Sequence, residues 1–111
     1  MQKLFVYGTL RPGQPNEHIL KEIGGQWKKG YIWGELFEEG WGAELGSPGI
    51  RLKNKTDKVE GYVFYSDNLS DHWKQLDSFE GEAYERVMVE VELIEENQKV
   101  DAFIYVLKNS N

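Results

Sequence analysis

"YERVMVEVELIEENQKVDAFIYVL", residues 84 to 107, decides the fold. Val87, Val89, Val91 and Leu93 fall at every second position, which predicts a strand with one buried face over 84–93. The polar link "EENQK" (95–99) leads into a second apolar run, 100–107. Two strands joined by so short a link pair antiparallel. Just upstream, Leu69, Trp73, Leu76 and Phe79 recur at spacings of four, three and three. That stripe predicts a helix over 69–79, capped by Asn68 or Ser70 and ended by Gly81. Nearer the N-terminus, "YIWGELF" (31–37) and "VEGYVFY" (59–65) read as strands with an interior glycine. Such a glycine marks a bulge, a bend or a close backbone approach. Residues 3–7 form a first, largely buried strand. A helix then starts at Asn16, carries Ile19, Leu20 and Ile23, and stops at Gly24-Gly25. The stretch 38–58 reads as loop, with "GSPG" (46–49) as a turn. Strands outnumber helices and hairpin-length links dominate. The expectation is an α+β domain over 1–111, a mixed but largely antiparallel curved sheet or small barrel with one or two helices.

Composition narrows the function. The 111 residues are 40% hydrophobic, with four Trp, six Tyr and five Phe, enough for one core. Net charge is −6, and the short basic stretches "WKKG" (27–30) and "RLKNK" (51–55) read as solvated surface. No nucleic-acid partner is expected. No run approaches the roughly 20 apolar residues of a membrane span, and the first residues lack a secretory leader's pattern. A cytoplasmic protein without membrane association is expected. Without cysteine there is no disulfide, thiolate metal site or thiol catalysis. The glycosylation-type triplets "NKT" and "NLS" are then chance matches.

The most elaborate loop follows the first strand: "VYGTLRPGQPN", residues 6–16. It lacks the Lys-Ser/Thr of a phosphate-binding Walker loop and the GxGxxG spacing of a dinucleotide fold. Glycine-rich backbone after a strand can still turn several N–H groups toward one anion, with Arg11 assisting. A plain strand-to-helix turn accounts for the same glycines, and the loop alone leaves both readings open. His18 and His72 have no second ligand at metal-binding spacing, and Asp67, Asp71 and Asp77 form no calcium loop, so no metal or cofactor is expected. No nucleophile elbow occurs. Catalysis, if any, falls to carboxylates. Glu80 is the candidate, because it lies where the amphipathic helix gives way to the strand from Tyr84, beside Phe79. Partial desolvation there raises a carboxyl pKa toward that of a useful base. An ordinary surface glutamate fits the position too, and Asp77, Glu82 and Glu85 compete with it.

Together "VYGTLRPGQPN" (6–16), "VEGYVFY" (59–65) and "LDSFEGEAYERVMVEV" (76–91) resemble the gamma-glutamylcyclotransferase-like proteins, including the gamma-glutamylamine cyclotransferases. "AFIYVL" (102–107) resembles the last core strand of that family, and only 38–57 carries no alignable pattern. The resemblance implies a small mixed barrel with the opening loop at its mouth. It implies that Glu80 is the catalytic acid–base group, and that Tyr7, Gly8, Thr9 and Leu10 bind the glutamyl end of a small-molecule substrate through backbone N–H groups. The implied reaction is attack of the substrate's own α-amino group on its γ-carbonyl, releasing 5-oxoproline and an amine. Arg86 pairs with Asp77 or Glu85 or lies exposed, and the resemblance favours an organising role for it. Tyr84 and Tyr105 line the pocket or fill core. Asn16 reads as a helix cap, and Trp27, Trp33, Trp41 and Trp73 as core or pocket wall. A monomer or weak homodimer is expected. Two alternatives remain: a non-catalytic small-carboxylate-binding protein, and a hydrolytic variant that unmasks a larger γ-glutamyl compound.

Overall fold

Strand β1 (Gln2–Val6) lies between two later strands, antiparallel to β4 (Asp57–Ser66) and parallel to β6 (Gln98–Leu107). The structure is a computed structural model and describes residues 2–37 and 49–108. Strand β2 (Gln26–Phe37) runs antiparallel to β4, and β5 (Tyr84–Leu93) antiparallel to β6. β5 then meets β2 through the pairs Gly30↔Leu93 and Tyr31↔Glu92, which closes five strands into a barrel. A short β3 (Gly49–Arg51) extends the far end of β2. Among the described residues β1–β6 is the one parallel pair. This is the small mixed, largely antiparallel α+β barrel that the sequence leads one to expect.

Side-chain alternation divides the core in two. Phe5, Ile32, Val63, Val91 and Ile104, one from each barrel strand, pack together with no helical residue and fill the interior. Leu4, Val6, Phe64 and Leu107 face outward, where Leu20 and Ile23 of α1 (Glu17–Ile23) and Leu76 of α2 (Trp73–Glu80) cover them. Leu4, Phe5 and Val6 are therefore all buried, and the continuous apolar run of β1 reflects two covered faces. Gly61 marks a close approach and not a bulge. A Cβ there would strike the Val6 carbonyl oxygen and lie 2.8 Å from Phe5 Cζ.

Several local expectations change. β2 begins at Gln26, five residues before the predicted start at 31. Its lysines hide the apolar alternation, and Lys28 reaches Glu96 Oε2 at 3.1 Å. β3 occupies part of the expected loop, since three residues are too few to show a period. The predicted helix over 69–79 is a 3-10 turn (Leu69–Asp71) followed by α2. Neither Asn68 nor Ser70 caps α2, which starts after His72, and the Asn68 amide donates to the Ile23 carbonyl at 2.9 Å. Trp33 is neither core nor pocket wall. Ile32 and Gly34 face inward, so Trp33 is 43% exposed and meets Tyr31 edge-on. Trp41 and residues 46–48 of the expected turn lie outside the described residues.

Candidate active site

The end of β1 sets the geometry. Tyr7 shares the inward parity of Phe5, and its hydroxyl donates to the Tyr105 backbone carbonyl at 2.7 Å. The chain then turns. The Gly8 carbonyl accepts both the Arg11 N–H (3.2 Å) and the Arg11 Nε (2.9 Å). The Thr9 carbonyl accepts the Asn16 N–H at 2.9 Å, and the Asn16 side-chain amide donates to Thr9 Oγ1 at 2.9 Å. The Gly8 and Thr9 carbonyls are thus engaged within the loop. The N–H groups of Gly8, Thr9 and Leu10 have no acceptor among the described residues. Successive backbone N–H groups without an acceptor, on residues that line a cavity, suit a ligand oxygen. Arg11 braces the loop and does not line the cavity.

Glu80 closes the same cavity from the other side. It is the last residue of α2, and Gly81 ends the helix with φ +90°, a conformation open to glycine, while its N–H bonds the Asp77 carbonyl. Burial pushes the Glu80 carboxyl up to about 7. Among the described residues it has no hydrogen-bond or ion-pair partner. Three phenols surround it. Tyr7 at the end of β1, Tyr84 on β5 and Tyr105 on β6 are all pushed upward, by burial first, with the Glu80 charge contributing. All three stay protonated near neutral pH.

The cavity encloses about 250 Å³ and is lined by Tyr7, Gly8, Thr9, Leu10, Glu80, Tyr84 and Tyr105, with Phe5, Val6, Asn16 and Phe79 completing the wall. That is somewhat below the roughly 300–1,000 Å³ of drug-sized pockets, the scale of a small metabolite. Of Glu80, Tyr7, Gly8, Thr9, Leu10, Tyr84, Tyr105 and Arg86, the residues named with the family resemblance, only Arg86 lies outside it. Arg86 faces an adjoining groove beyond Tyr84 and Tyr105, where Nε and Nη2 bond Asp77 at 3.1 and 3.3 Å. The competing acids stand apart, with Asp77, Glu82 and Glu85 exposed and none lining the cavity. Asn16 differs from expectation. It occupies the N-cap position of α1, yet its side chain bonds Thr9 and makes no capping bond. Asparagine serves equally as helix cap and loop tie, so residue type alone does not separate the two. Among the described residues no three His, Asp or Glu side chains converge where a metal could bind.

Known proteins share this fold. The sequence model of the family described as gamma-glutamyl cyclotransferase, AIG2-like, matches residues 4–111. Over 80 residues the chain is 36% identical to the gamma-L-glutamyl-butirosin B gamma-glutamyl cyclotransferase of Niallia circulans. That match covers 72% of this chain and 46% of the relative, so the chain spans less than half of that protein's length. Among solved structures, an AIG2-like protein of Mus musculus superposes with a TM-score of 0.78 at 24% identity, covering all of this chain and 80% of the other. At that identity the likeness is one of fold. YkqA of Bacillus subtilis superposes with a TM-score of 0.72 at 29% identity, over 96% of this chain and 36% of that one.

Proposed function

The chain belongs to the gamma-glutamyl cyclotransferase, AIG2-like family, and from that premise we propose that it converts a γ-glutamyl amine or peptide to 5-oxoproline and the free amine, with Glu80 as acid and base. The observation that carries the reading is a pair on one small cavity: a partly buried carboxyl and three successive loop residues whose N–H groups, like that carboxyl, have no partner among the described residues. In the ground state the substrate's α-amino group is an ammonium and cannot attack. Glu80, ionised above about pH 7, takes one of its protons. The freed amine then attacks the γ-carbonyl, a new C–N bond closes the five-membered ring, and the old C–N bond to the leaving amine breaks. Glu80 returns its proton to that amine's nitrogen, and the second proton of the new ring nitrogen passes to it as well, so the amine leaves as an ammonium ion, the carboxylate is regenerated and protons balance.

No enzyme nucleophile is needed, because the substrate carries its own. The protein's task is to fold the substrate so that amine and carbonyl meet, a proximity effect. Capture of the α-carboxylate by the Gly8, Thr9 and Leu10 N–H groups serves that purpose, since it fixes the end of the substrate that bears the amine. Asn16 supports the loop from behind through Thr9. Asn16→Ala is expected to raise KM several-fold with little change in kcat, and to cost about 1 kcal/mol of stability, the typical value of one hydrogen bond. Steady-state kinetics beside a urea melt measures both.

The deciding experiment is 5-oxoproline release from a panel of γ-glutamyl amino acids, glutathione and γ-glutamyl-ε-lysine, with Glu80→Gln in parallel. Release that vanishes in the variant establishes the reaction, and the best substrate identifies the leaving group. Binding of these compounds without release at any pH would instead favour a carboxylate-binding protein.

A further inference from the structure

We infer that Asp77 is a positioning residue for Glu80, its carboxylate tying the last turn of α2 to strands β5 and β6 through Arg86 and Tyr105. The inference rests on the proposed role of Glu80 and concerns how that group is held in place. Arg86 and Tyr105 are direct ladder partners on β5 and β6, so their side chains stand next to each other on one face of the sheet. Asp77 receives both. Oδ1 accepts the Tyr105 hydroxyl at 2.6 Å and the Arg86 Nε at 3.1 Å, and Oδ2 accepts Arg86 Nη2 at 3.3 Å. The guanidinium carbon lies over two rings, 4.2 Å from the Trp73 ring centre and 5.2 Å from that of Phe103. The Tyr105 carbonyl accepts the Tyr7 hydroxyl. One chain of contacts therefore runs from α2 through Asp77 and Tyr105 to the start of the substrate loop.

Helix α2 needs such a tie. Eight residues make about two turns, too short for a helix to persist without packing. Leu76 is its one fully buried side chain. Leu76 and Asp77 lie four and three positions before Glu80, on the helix face from which Glu80 projects. Leu76 anchors that face in the core, and Asp77 fixes its rotation against the sheet. Asp77 is itself about half exposed, and exposed pairs add little to global stability. A network of this geometry at such a site serves to place a neighbour.

The test reads Glu80 directly. Glutamate carrying a labelled side-chain carboxyl carbon is incorporated into the protein, and the Glu80 signal is assigned by its absence from Glu80→Gln. The ionisable groups facing Glu80 are Tyr7, Tyr84 and Tyr105, all neutral in the range scanned, so its midpoint reports burial. The wild-type signal is expected to titrate near 7. In Asp77→Ala the last turn of α2 comes loose, water reaches Glu80, and the midpoint falls by about one unit or more. Where turnover is measurable, kcat falls about tenfold or more while KM moves less than about threefold. A folded Asp77→Ala with an unchanged Glu80 midpoint overturns the inference. If Asp77→Ala does not fold, Asp77→Asn decides by the same reading, because it keeps the shape but sets an N–H donor against the guanidinium. A wild type that titrates as expected yet releases no 5-oxoproline would defeat the cyclotransferase reading and leave Asp77 tested on its own terms.

Discussion

Glu80→Gln is expected to lose about a hundred- to ten-thousand-fold in kcat for 5-oxoproline release, the range of a missing general acid–base group, while circular dichroism and ligand binding stay near wild type. The amide matches the carboxyl in size, so the cavity keeps its shape, but it can neither take the proton from the ammonium nor return it. The pH profile sharpens the expectation. Wild-type kcat/KM should rise with pH through about 7, where the buried carboxyl ionises, because only the carboxylate accepts the proton. In the variant that acidic limb disappears from whatever rate remains. A variant that keeps both rate and limb would move the base to another group. Glu82 would be tested first, although it is exposed and does not line the cavity. The size of the effect follows from the chemistry. With no nucleophile supplied by the protein, proton transfer and substrate folding are the contributions left for it to make.

Much of this was legible along the chain, and the rest was hidden for identifiable reasons. The strict alternation from Val87 to Leu93 predicts β5 because a strand's period is two, and Gly81 stops α2 where the sequence leads one to expect. The three residues of β3 carry no period, and the pairing of Leu36 with Ile50 is a long-range event that local pattern cannot encode. The two roles open to Asn16 differ only in where Thr9 lies, which the turn decides. The Asp77 network is the least legible part. It exists because the β5–β6 register sets Arg86 beside Tyr105 and α2 then lays Asp77 against both. Sequence spacing marks Asp77 and Arg86 as a candidate pair but says nothing of Tyr105. Placement of Glu80 is intermediate. Its position at a helix end beside apolar residues can be read, whereas its burial depends on Tyr7, Tyr84 and Tyr105 arriving from three different strands or strand ends.

The same substitution that removes activity is expected to stabilise the protein, by an amount that depends on pH. In the unfolded chain the Glu80 carboxyl titrates at its ordinary value of 4.5, and in the folded chain burial raises it to about 7. Below 4.5 the group is protonated in both states and contributes no difference. Between 4.5 and 7 the unfolded chain has ionised while the folded one holds its proton, so wild-type stability falls as pH rises. Above 7 the full cost is present. A shift of this size corresponds to about 3 kcal/mol at most, and partial solvent access brings the expectation to about 1–3 kcal/mol. Glu80→Gln carries no charge and escapes this cost. Urea unfolding at pH 8 should therefore place the variant above wild type by that amount, and the gap should close near pH 4. A variant equal to or less stable than wild type at pH 8 would mean that Glu80 is adequately solvated and has no raised pKa to use in catalysis. A stability gain paired with loss of turnover would tie the two together, because the burial that disfavours the folded carboxylate also makes it a base suited to neutral pH.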